Sequence, residues 1–261
     1  MTQSPVRALV TGASSGIGRE FAQQLANQGY VVTVVARRED RLRELLATLP
    51  GAGHTLLAAD LSSSQGLETL LEYISSERIH LLINNAGYSV LEPFYQSELG
   101  KQQNILDVNC RAVVTLAHAF LGQAERGDAL INVASIVSYL PTPAQPMYSA
   151  SKAFLAAFSE CLWSEQQSRG VYVMGLCPGV TRTEFISTAT GGESDGDTLP
   201  AAFIQTTDAV VKEALAALRK RRKAIVVTGR LNRLMMLMPR LLSRHRLIKI
   251  LAVMGDPERA L

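Results

Sequence analysis

The sequence predicts an α/β domain in which helices cover both faces of a parallel sheet. Two observations support this fold class. Short β-branched and aliphatic runs alternate with longer segments of helical periodicity along most of the 261 residues, and strand–helix–strand repetition implies parallel pairing through right-handed crossovers. The predicted strands are also almost wholly apolar, as is typical of strands buried on both faces.

Seven strands and six helices are predicted in order. The strands cover residues 6–10, 31–35, 55–58, 81–83, 130–133, 171–176 and 224–227. The helices cover residues 17–28, 38–49, 64–76, 100–123, 149–168 and 208–221. Residues 187–198 are too rich in Gly, Ser and Asp for regular structure, and a long loop of this kind is often a lid over a site.

The composition, 47% hydrophobic and 19% charged, is that of a folded globular protein. A net charge of +3 is too small to indicate a nucleic-acid binder. The cysteines form no CxxC pair and no cluster with histidine, so no disulfide framework and no metal site is predicted, and a reducing, cytoplasmic setting is expected. No apolar run reaches 18 residues and the first five residues are polar, so we expect neither a membrane span nor a signal peptide.

A glycine-rich segment, TGASSGIG at residues 11–18, follows the first strand and opens the first helix. Gly12 permits a tight turn, Gly16 lets the backbone approach a pyrophosphate, and Gly18 lets helix and strand pack closely. Amide groups at the helix start would face the anion. The spacing is GxxxGxG, and a plain strand-to-helix connection is the alternative interpretation.

The end of the second strand bears on the choice of dinucleotide. Arg37 and Arg38 stand where an NAD site usually has an acidic residue for the adenosine ribose. Arginine instead accommodates the 2'-phosphate of NADP through charge-assisted contacts. We therefore predict NADP(H), mainly on Arg37, with NAD(H) less favoured. The alternative is an exposed helix start at which both arginines balance Glu39 and Asp40.

Tyr148 and Lys152 lie four residues apart at a predicted helix start and so share one face. A nearby ammonium stabilises a phenolate, and we expect it to lower the pKa of Tyr148 from about 10 toward neutrality. Tyr148 is therefore a candidate proton donor or acceptor. An ordinary exposed helix pair is the alternative.

Together the motifs closely resemble those of the short-chain dehydrogenase/reductase family. In order they are TGASSGIG at 11–18, Asp60 after the third strand, NNAG at 84–87, Asn109, Ser135, YSASK at 148–152 and PGVTRT at 178–183. The resemblance implies one Rossmann-type domain over residues 1–228, with a seven-stranded parallel sheet. It also implies a nicotinamide cofactor and redox chemistry between a carbonyl and an alcohol.

The resemblance further implies a catalytic role for four residues. Tyr148 would be the general acid in carbonyl reduction, or the base in alcohol oxidation, and Ser135 would bind the same substrate oxygen. Lys152 would lower the pKa of Tyr148 and hold the nicotinamide ribose, and Asn109 would bind a water that links Lys152 to solvent. The implied substrate contacts are Ser135, Val137 and Tyr148.

The implied cofactor contacts lie mostly on turns that follow strands. Asp60 would contact the adenine amino group and Leu61 the ring edge, although Asp60 taken singly is also a typical turn residue. The full set is Gly12, Ser14, Ser15, Gly16, Ile17, Gly18, Arg37, Asp60, Leu61, Asn85, Ala86, Gly87, Tyr148, Lys152, Pro178, Gly179, Thr181 and Thr183. Thr181 departs from the family pattern, which usually has valine there.

The substrate side is expected to be largely apolar, which favours a hydrophobic ketone or aldehyde. The residues that would line it are Ile136, Val137, Tyr139, Pro141, residues 88–91 and a lid at about 184–206. The predicted function is therefore hydride transfer between NADPH and such a carbonyl, or the corresponding alcohol. The physiological substrate and the reaction direction are not predicted.

Residues 229–261 form a basic amphipathic extension that the resemblance does not explain. Residues 212–261 carry 13 basic and 3 acidic side chains, whereas residues 1–211 carry 13 and 20. Apolar residues recur there at helical spacing, and Pro239 is expected to start a second helix. We expect packing within the protein or in a homodimer or homotetramer, with contact to an anionic membrane surface as the alternative. A membrane-surface scaffold or sensor that binds cofactor is the competing function.

Overall fold

The computed structural model describes residues 5–143, 145–189 and 204–255. Seven strands form one parallel sheet in the order β3-β2-β1-β4-β5-β6-β7. They are β1 Arg7–Thr11, β2 Val31–Ala36, β3 Thr55–Ala58, β4 Leu81–Asn84, β5 Ala129–Val133, β6 Tyr172–Cys177 and β7 Ile225–Val227. Each lies within one residue of its predicted bounds, which confirms the doubly wound, Rossmann-type sheet.

Helices cover both faces of this sheet because successive strand residues point to opposite sides. Val10, Ile83 and Ile131 belong to one buried cluster with α1 Gly16–Asn27, α2 Glu39–Thr48 and α8 Thr207–Lys220. Leu9, Leu82 and Leu130 belong to a second cluster with α3 Ser64–Ser76 and α5 Ala112–Gln123. The near-continuous apolar strands thus supply both cores.

The predicted helix over residues 100–123 is interrupted. It consists of α4 Leu99–Leu106, a π-helical segment Asp107–Arg111 and α5. Within the described ranges, Leu99–Gln123 is the one helix with the length and composition to cross a bilayer. Leu116 and Phe120 are buried in the domain core, as in the core helix of a globular protein, so this is weak support for a span.

Five further helices complete the described chain. They are α6 Pro146–Gln166, α7 Phe185–Ala189, α9 Arg230–Met235, α10 Met238–Leu241 and α11 Arg244–Gly255. Pro239 lies in the first turn of α10, as expected. Of the predicted lid, only α7 and its flanks are described, and residues 190–203 lie outside the described residues.

The basic extension begins in contact with the domain. Asn232 of α9 is 3% exposed and donates to the carbonyl of Thr228 at 2.9 Å. Arg233 pairs with Glu213 of α8 at 2.7 Å. The proposed boundary at residue 229 therefore falls between segments that pack together.

Candidate active site

The strand order reverses between β1 and β4, and the turns after these two strands are tied together. The hydroxyl of Thr11, the last residue of β1, accepts hydrogen bonds from the amides of Asn85 and Ala86, each at 3.0 Å. The side-chain amide of Asn85 donates back to the carbonyl of Thr11 at 2.9 Å. Ligands of doubly wound sheets bind at such a switch point, so two of the predicted cofactor contacts lie where a dinucleotide would.

The glycine-rich turn fits a pyrophosphate. Gly12 has φ +67°, and a Cβ there would lie 2.8 Å from the Cα of Ala86. Among the residues that the structure describes, no side chain caps α1 and no acidic residue occupies its first turn. The first amide groups of α1 therefore remain available to an anion. A cleft of about 270 Å³ opens there, lined by Ser14, Ser15, Gly16, Arg41, Thr183 and Glu184.

The predicted catalytic residues lie together at the carboxyl end of β5. Ser135 follows β5, and its hydroxyl accepts from the amide of Val137 at 3.3 Å. Tyr148 and Lys152 lie in the first turns of α6, with Nζ of Lys152 5.6 Å from the centroid of the Tyr148 ring. Nζ also donates to the carbonyl of Val133 at 2.8 Å, which fixes a 3% exposed ammonium.

The expected lowering of the Tyr148 pKa is wrong for this structure. Burial raises the pKa of Tyr148, and a smaller effect of the hydrogen bond with Ser135 opposes it. Burial also lowers the pKa of Lys152 to about 8. The low-dielectric site therefore disfavours the charged form of each residue, and it holds Tyr148 protonated near neutral pH.

Asn109 lies in the π-helical segment and is completely buried. Its side-chain amide donates to the carbonyl of Tyr88 and to the hydroxyl of Ser151, each at 3.0 Å, and its Oδ1 accepts from the amide of Tyr88 at 2.9 Å. A Cβ at Gly87 would lie 3.4 Å from Nζ of Lys152 and 3.7 Å from Oδ1 of Asn109. The NNAG turn at residues 84–87 therefore lies against α6, the helix that carries Tyr148 and Lys152.

Asp60 organises the turn after β3. Its Oδ1 accepts from the amide of Ser62 at 2.9 Å and from the hydroxyl of Ser62 at 2.8 Å. Burial raises the pKa of Asp60, but these bonds and the charge of Arg37 outweigh it and lower the pKa overall. Leu61 is buried. The local contacts are those of a turn residue, and adenine contact by Asp60 or Leu61 stays a prediction.

The PGVTRT segment lies across from the glycine-rich turn. The carbonyl of Pro178 accepts from the amide of Ile136, the residue after Ser135, at 3.0 Å. A Cβ at Gly179 would overlap the side chain of Asn232, so α9 packs directly on this segment. The hydroxyl of Thr181 donates to the carbonyl of Gly179 at 3.0 Å.

Thr183 completes that side of the cleft. A Cβ at Gly16 would lie 3.0 Å from its Cγ2, and its hydroxyl accepts from the amide of Phe185 at 3.2 Å. Ile17 packs against the core and Gly18 is buried against the turn. Every predicted catalytic and cofactor-binding residue is thus described, and Ser14, Ser15, Gly16 and Thr183 line the cleft.

Sequence reasoning named Arg37, but the contacts to the glycine-rich turn come from its neighbour. Nη2 of Arg38 donates to the hydroxyls of Ser14 and Ser15 at 3.1 and 3.2 Å, although Arg37 and Arg38 are both exposed. The direction in which each side chain leaves the end of β2 decides this, and the dipeptide Arg37-Arg38 did not reveal it.

Two lid-side residues were missed as functional candidates. The carboxylate of Glu184 accepts from Nη1 of Arg41, 2.7 Å from each oxygen, and from Nη1 of Arg38 at 3.2 Å. Phe185, the first residue of α7, packs on Tyr148 with ring centroids 5.4 Å apart. Nothing in the local sequence around these two residues pointed to these partners, which lie far away along the chain.

The fold and site place the protein among Rossmann-type α/β oxidoreductases. A family model described as short chain dehydrogenase matches residues 7–193, so the chain belongs to the short-chain dehydrogenase family, which confirms the resemblance.

Two curated relatives show how varied the names of the matching proteins are. The chain is 31% identical over 192 residues to sulfoacetaldehyde reductase 2 of Chromohalobacter salexigens, covering 71% of this chain and 76% of the relative. It is 36% identical over 177 residues to very-long-chain 3-oxoacyl-CoA reductase of Neurospora crassa, covering 64% of this chain and 53% of the relative. The chain thus spans about half the length of the second relative.

Among solved structures, the fold is similar to that of a short-chain dehydrogenase from Sphingobium yanoikuyae in complex with NADPH. The two share 31% sequence identity with a TM-score of 0.78, and the match covers 85% of this chain and 87% of the other.

Proposed function

We propose that the protein transfers hydride between NADPH and a hydrophobic ketone or aldehyde, or the corresponding alcohol, with Tyr148 as general acid or base. The observation that carries this proposal is the convergence of Ser135, Tyr148 and Lys152 at the carboxyl end of β5, where Lys152 also meets the NNAG turn at Gly87. The family match supports an oxidoreductase and does not favour the alternative of a membrane-surface scaffold.

The chain's own residues supply proton transfer and orientation. Because burial keeps Tyr148 protonated, its hydroxyl is suited to donate a proton to the substrate oxygen as that oxygen gains negative charge. Ser135 hydrogen-bonds the same oxygen and polarises the carbonyl. With a pKa of about 8, Lys152 can return a proton toward Tyr148, and Oδ1 of Asn109 lies on the same side of Gly87 as Nζ of Lys152, where a water would extend this path.

Other residues would hold the cofactor, which supplies the hydride when it is bound. The first amides of α1 would bind the pyrophosphate and Lys152 the nicotinamide ribose. Arg38 would bind the 2'-phosphate, and the NADPH bound to the Sphingobium relative supports this choice of cofactor. Arg37 remains a second candidate ligand.

The surroundings of Tyr148 support an apolar substrate. Phe185 lies against its ring, and Val137 and Tyr139 follow Ser135 as partly buried side chains. Such a lining accepts hydrocarbon surface and leaves the carbonyl to Ser135 and Tyr148. The aldehyde and 3-oxoacyl substrates in the names of the two curated relatives agree with a carbonyl substrate.

Cofactor binding to the purified protein tests the proposal. We expect NADPH to bind at least about tenfold more tightly than NADH, because a phosphate paired with arginine adds about 1.5–3 kcal/mol in a charge-assisted contact. Arg38→Ala should weaken NADPH and leave NADH unchanged, while Arg37→Ala as matched control should have the smaller effect. Equal wild-type affinities would remove the argument for NADP(H). A panel of ketones and aldehydes, followed by NADPH oxidation, would define the substrate.

We propose that the protein self-associates through exposed apolar side chains of its central helices. Leu106, Val114 and Phe154 are each about 40% exposed on α4, α5 and α6. A homodimer or homotetramer that covers them is measurable by light scattering.

The free cysteines support a reducing, cytoplasmic location.

The basic extension of residues 229–261 carries exposed leucines. Leu234, Leu237 and Leu241 follow helical spacing and are 61, 43 and 79% exposed. They and the neighbouring arginines suit either a second subunit or an anionic membrane surface. Flotation with anionic vesicles distinguishes the two.

A further inference from the structure

Arg38, which we propose as a ligand of the cofactor's 2'-phosphate, already pairs with a carboxylate. Glu184 binds Arg41 and Arg38, and Arg38 in turn contacts Ser14 and Ser15 of the glycine-rich turn. Arg41 and Glu184 are 143 residues apart in sequence, so the fold alone brings them together. All three charged side chains are partly exposed, between 35 and 49%.

We propose that Glu184 is a specificity-determining residue that competes with the cofactor's 2'-phosphate for Arg38 and Arg41. This inference rests on the proposed NADP(H) function. A carboxylate and a phosphate ester use the same guanidinium donors, and both are anionic, so they cannot share Arg38 and Arg41 without repulsion. A cofactor with a 2'-phosphate must therefore displace Glu184, and one without it leaves the cluster in place.

The cost of this displacement is small enough for the exchange to occur. Exposed ion pairs contribute little in water, because solvent screens them and side-chain entropy opposes them. Glu184 keeps a low pKa through its hydrogen bond with Arg41 and its further pairing with Arg38, so it is ionised at neutral pH and competes at full charge. The affinity for NADPH is then lower than the two arginines alone would give.

The backbone of Glu184 is held independently of its carboxylate. Its carbonyl accepts from the amide of Thr188 at 2.9 Å and from the hydroxyl of Thr188 at 2.7 Å. The amide of the next residue, Phe185, donates to Thr183. The variant Glu184→Gln therefore removes the charge and preserves α7.

Calorimetry on the full chain with adenosine 2',5'-bisphosphate and 5'-AMP isolates the 2'-phosphate without turnover. We expect Glu184→Gln to bind the bisphosphate about 3–10-fold more tightly and 5'-AMP unchanged, as loss of two exposed competing pairs implies. The matched control is Glu20→Gln, which removes a charge from the same cleft but pairs with Gln24. It should shift bisphosphate affinity less than about twofold.

Unchanged or weaker bisphosphate binding by Glu184→Gln overturns the inference, because Glu184 would then only position Arg38. Adding Arg41→Gln to Glu184→Gln should cancel the gain, and a persistent gain would also contradict it. If neither wild type nor Glu184→Gln distinguishes bisphosphate from 5'-AMP, the proposed NADP(H) function fails as well. A wild-type preference without a gain in the variant refutes the inference alone.

Discussion

The catalytic end and the phosphate end of the candidate site are built differently. At the catalytic end, Lys152 and Asn109 are almost completely buried and are held by backbone carbonyls and neutral partners. At the phosphate end, Arg38, Arg41 and Glu184 are partly exposed and held mainly by charge. Buried hydrogen bonds fix geometry, whereas screened ion pairs exchange partners readily. We therefore expect a fixed geometry at the catalytic end and contacts that exchange more readily at the phosphate end.

The largest expected effect is on turnover at the catalytic end, with cofactor binding at the phosphate end unchanged. Tyr148→Phe removes the proton donor and should lower kcat by about 10²–10⁴-fold, while the affinity for NADPH, measured by fluorescence titration, stays the same. Tyr73→Phe is the matched control, because its hydroxyl bonds Thr33 and Thr55 far from the site. A Tyr148→Phe variant that retains activity would refute the acid–base assignment.

The second prediction concerns the glycine-rich turn at the phosphate end, where the backbone packs closely. A Cβ at Gly18 would overlap the carbonyl of Gly12, so Gly18→Ala should destabilise the fold by about 3 kcal/mol through overpacking. Gly122→Ala is the control, since a Cβ there meets nothing within 4 Å in α5.

In Gly122→Ala the helix should gain about 0.5–1 kcal/mol. Denaturant unfolding measures both variants. Equal effects of the two substitutions would show that close packing is not what requires glycine at residue 18.

The smallest expected effect tests how strongly the catalytic end is desolvated. Since burial lowers the pKa of Lys152 from 10.5 to about 8, the unfolded chain binds more protons than the folded one between these values. The free energy of unfolding should therefore rise with pH there. Relative to Lys152→Met, wild type should gain about 2 kcal/mol from pH 8 to 10, at about 1.4 kcal/mol per pKa unit.

The control for this pH dependence is Lys212→Met, whose side chain is exposed and paired with Asp208. Its unfolding free energy should follow wild type across the same pH range. Parallel curves for wild type and Lys152→Met would mean that the ammonium is solvated.

Motifs that act over one turn or one helix were predictable. The segment TGASSGIG lies between β1 and α1, and the Tyr148–Lys152 pair shares one face of α6, because both depend on local spacing. The seven strands were predictable for the same reason, since burial on both faces leaves an apolar run. The contacts of Arg38, Glu184 and Phe185 were not predicted, because their partners lie far away in sequence or depend on side-chain direction.

The pKa of Tyr148 is the clearest property that sequence spacing did not predict. Sequence spacing correctly placed an ammonium beside the phenol, yet it carried no information about desolvation. The tertiary structure encloses both groups in the protein, and the resulting desolvation raises the pKa of Tyr148 and lowers the pKa of Lys152.

The sequence by itself determined the fold class, the strand order along the chain and the identity of the chemical groups, since hydrophobic periodicity and short-range spacing encode them. Only the tertiary structure decided which arginine reaches the glycine-rich turn, which carboxylate opposes it, and which way the tyrosine pKa moves. These depend on packing between distant segments and on the exclusion of water, and neither property belongs to any single stretch of the chain.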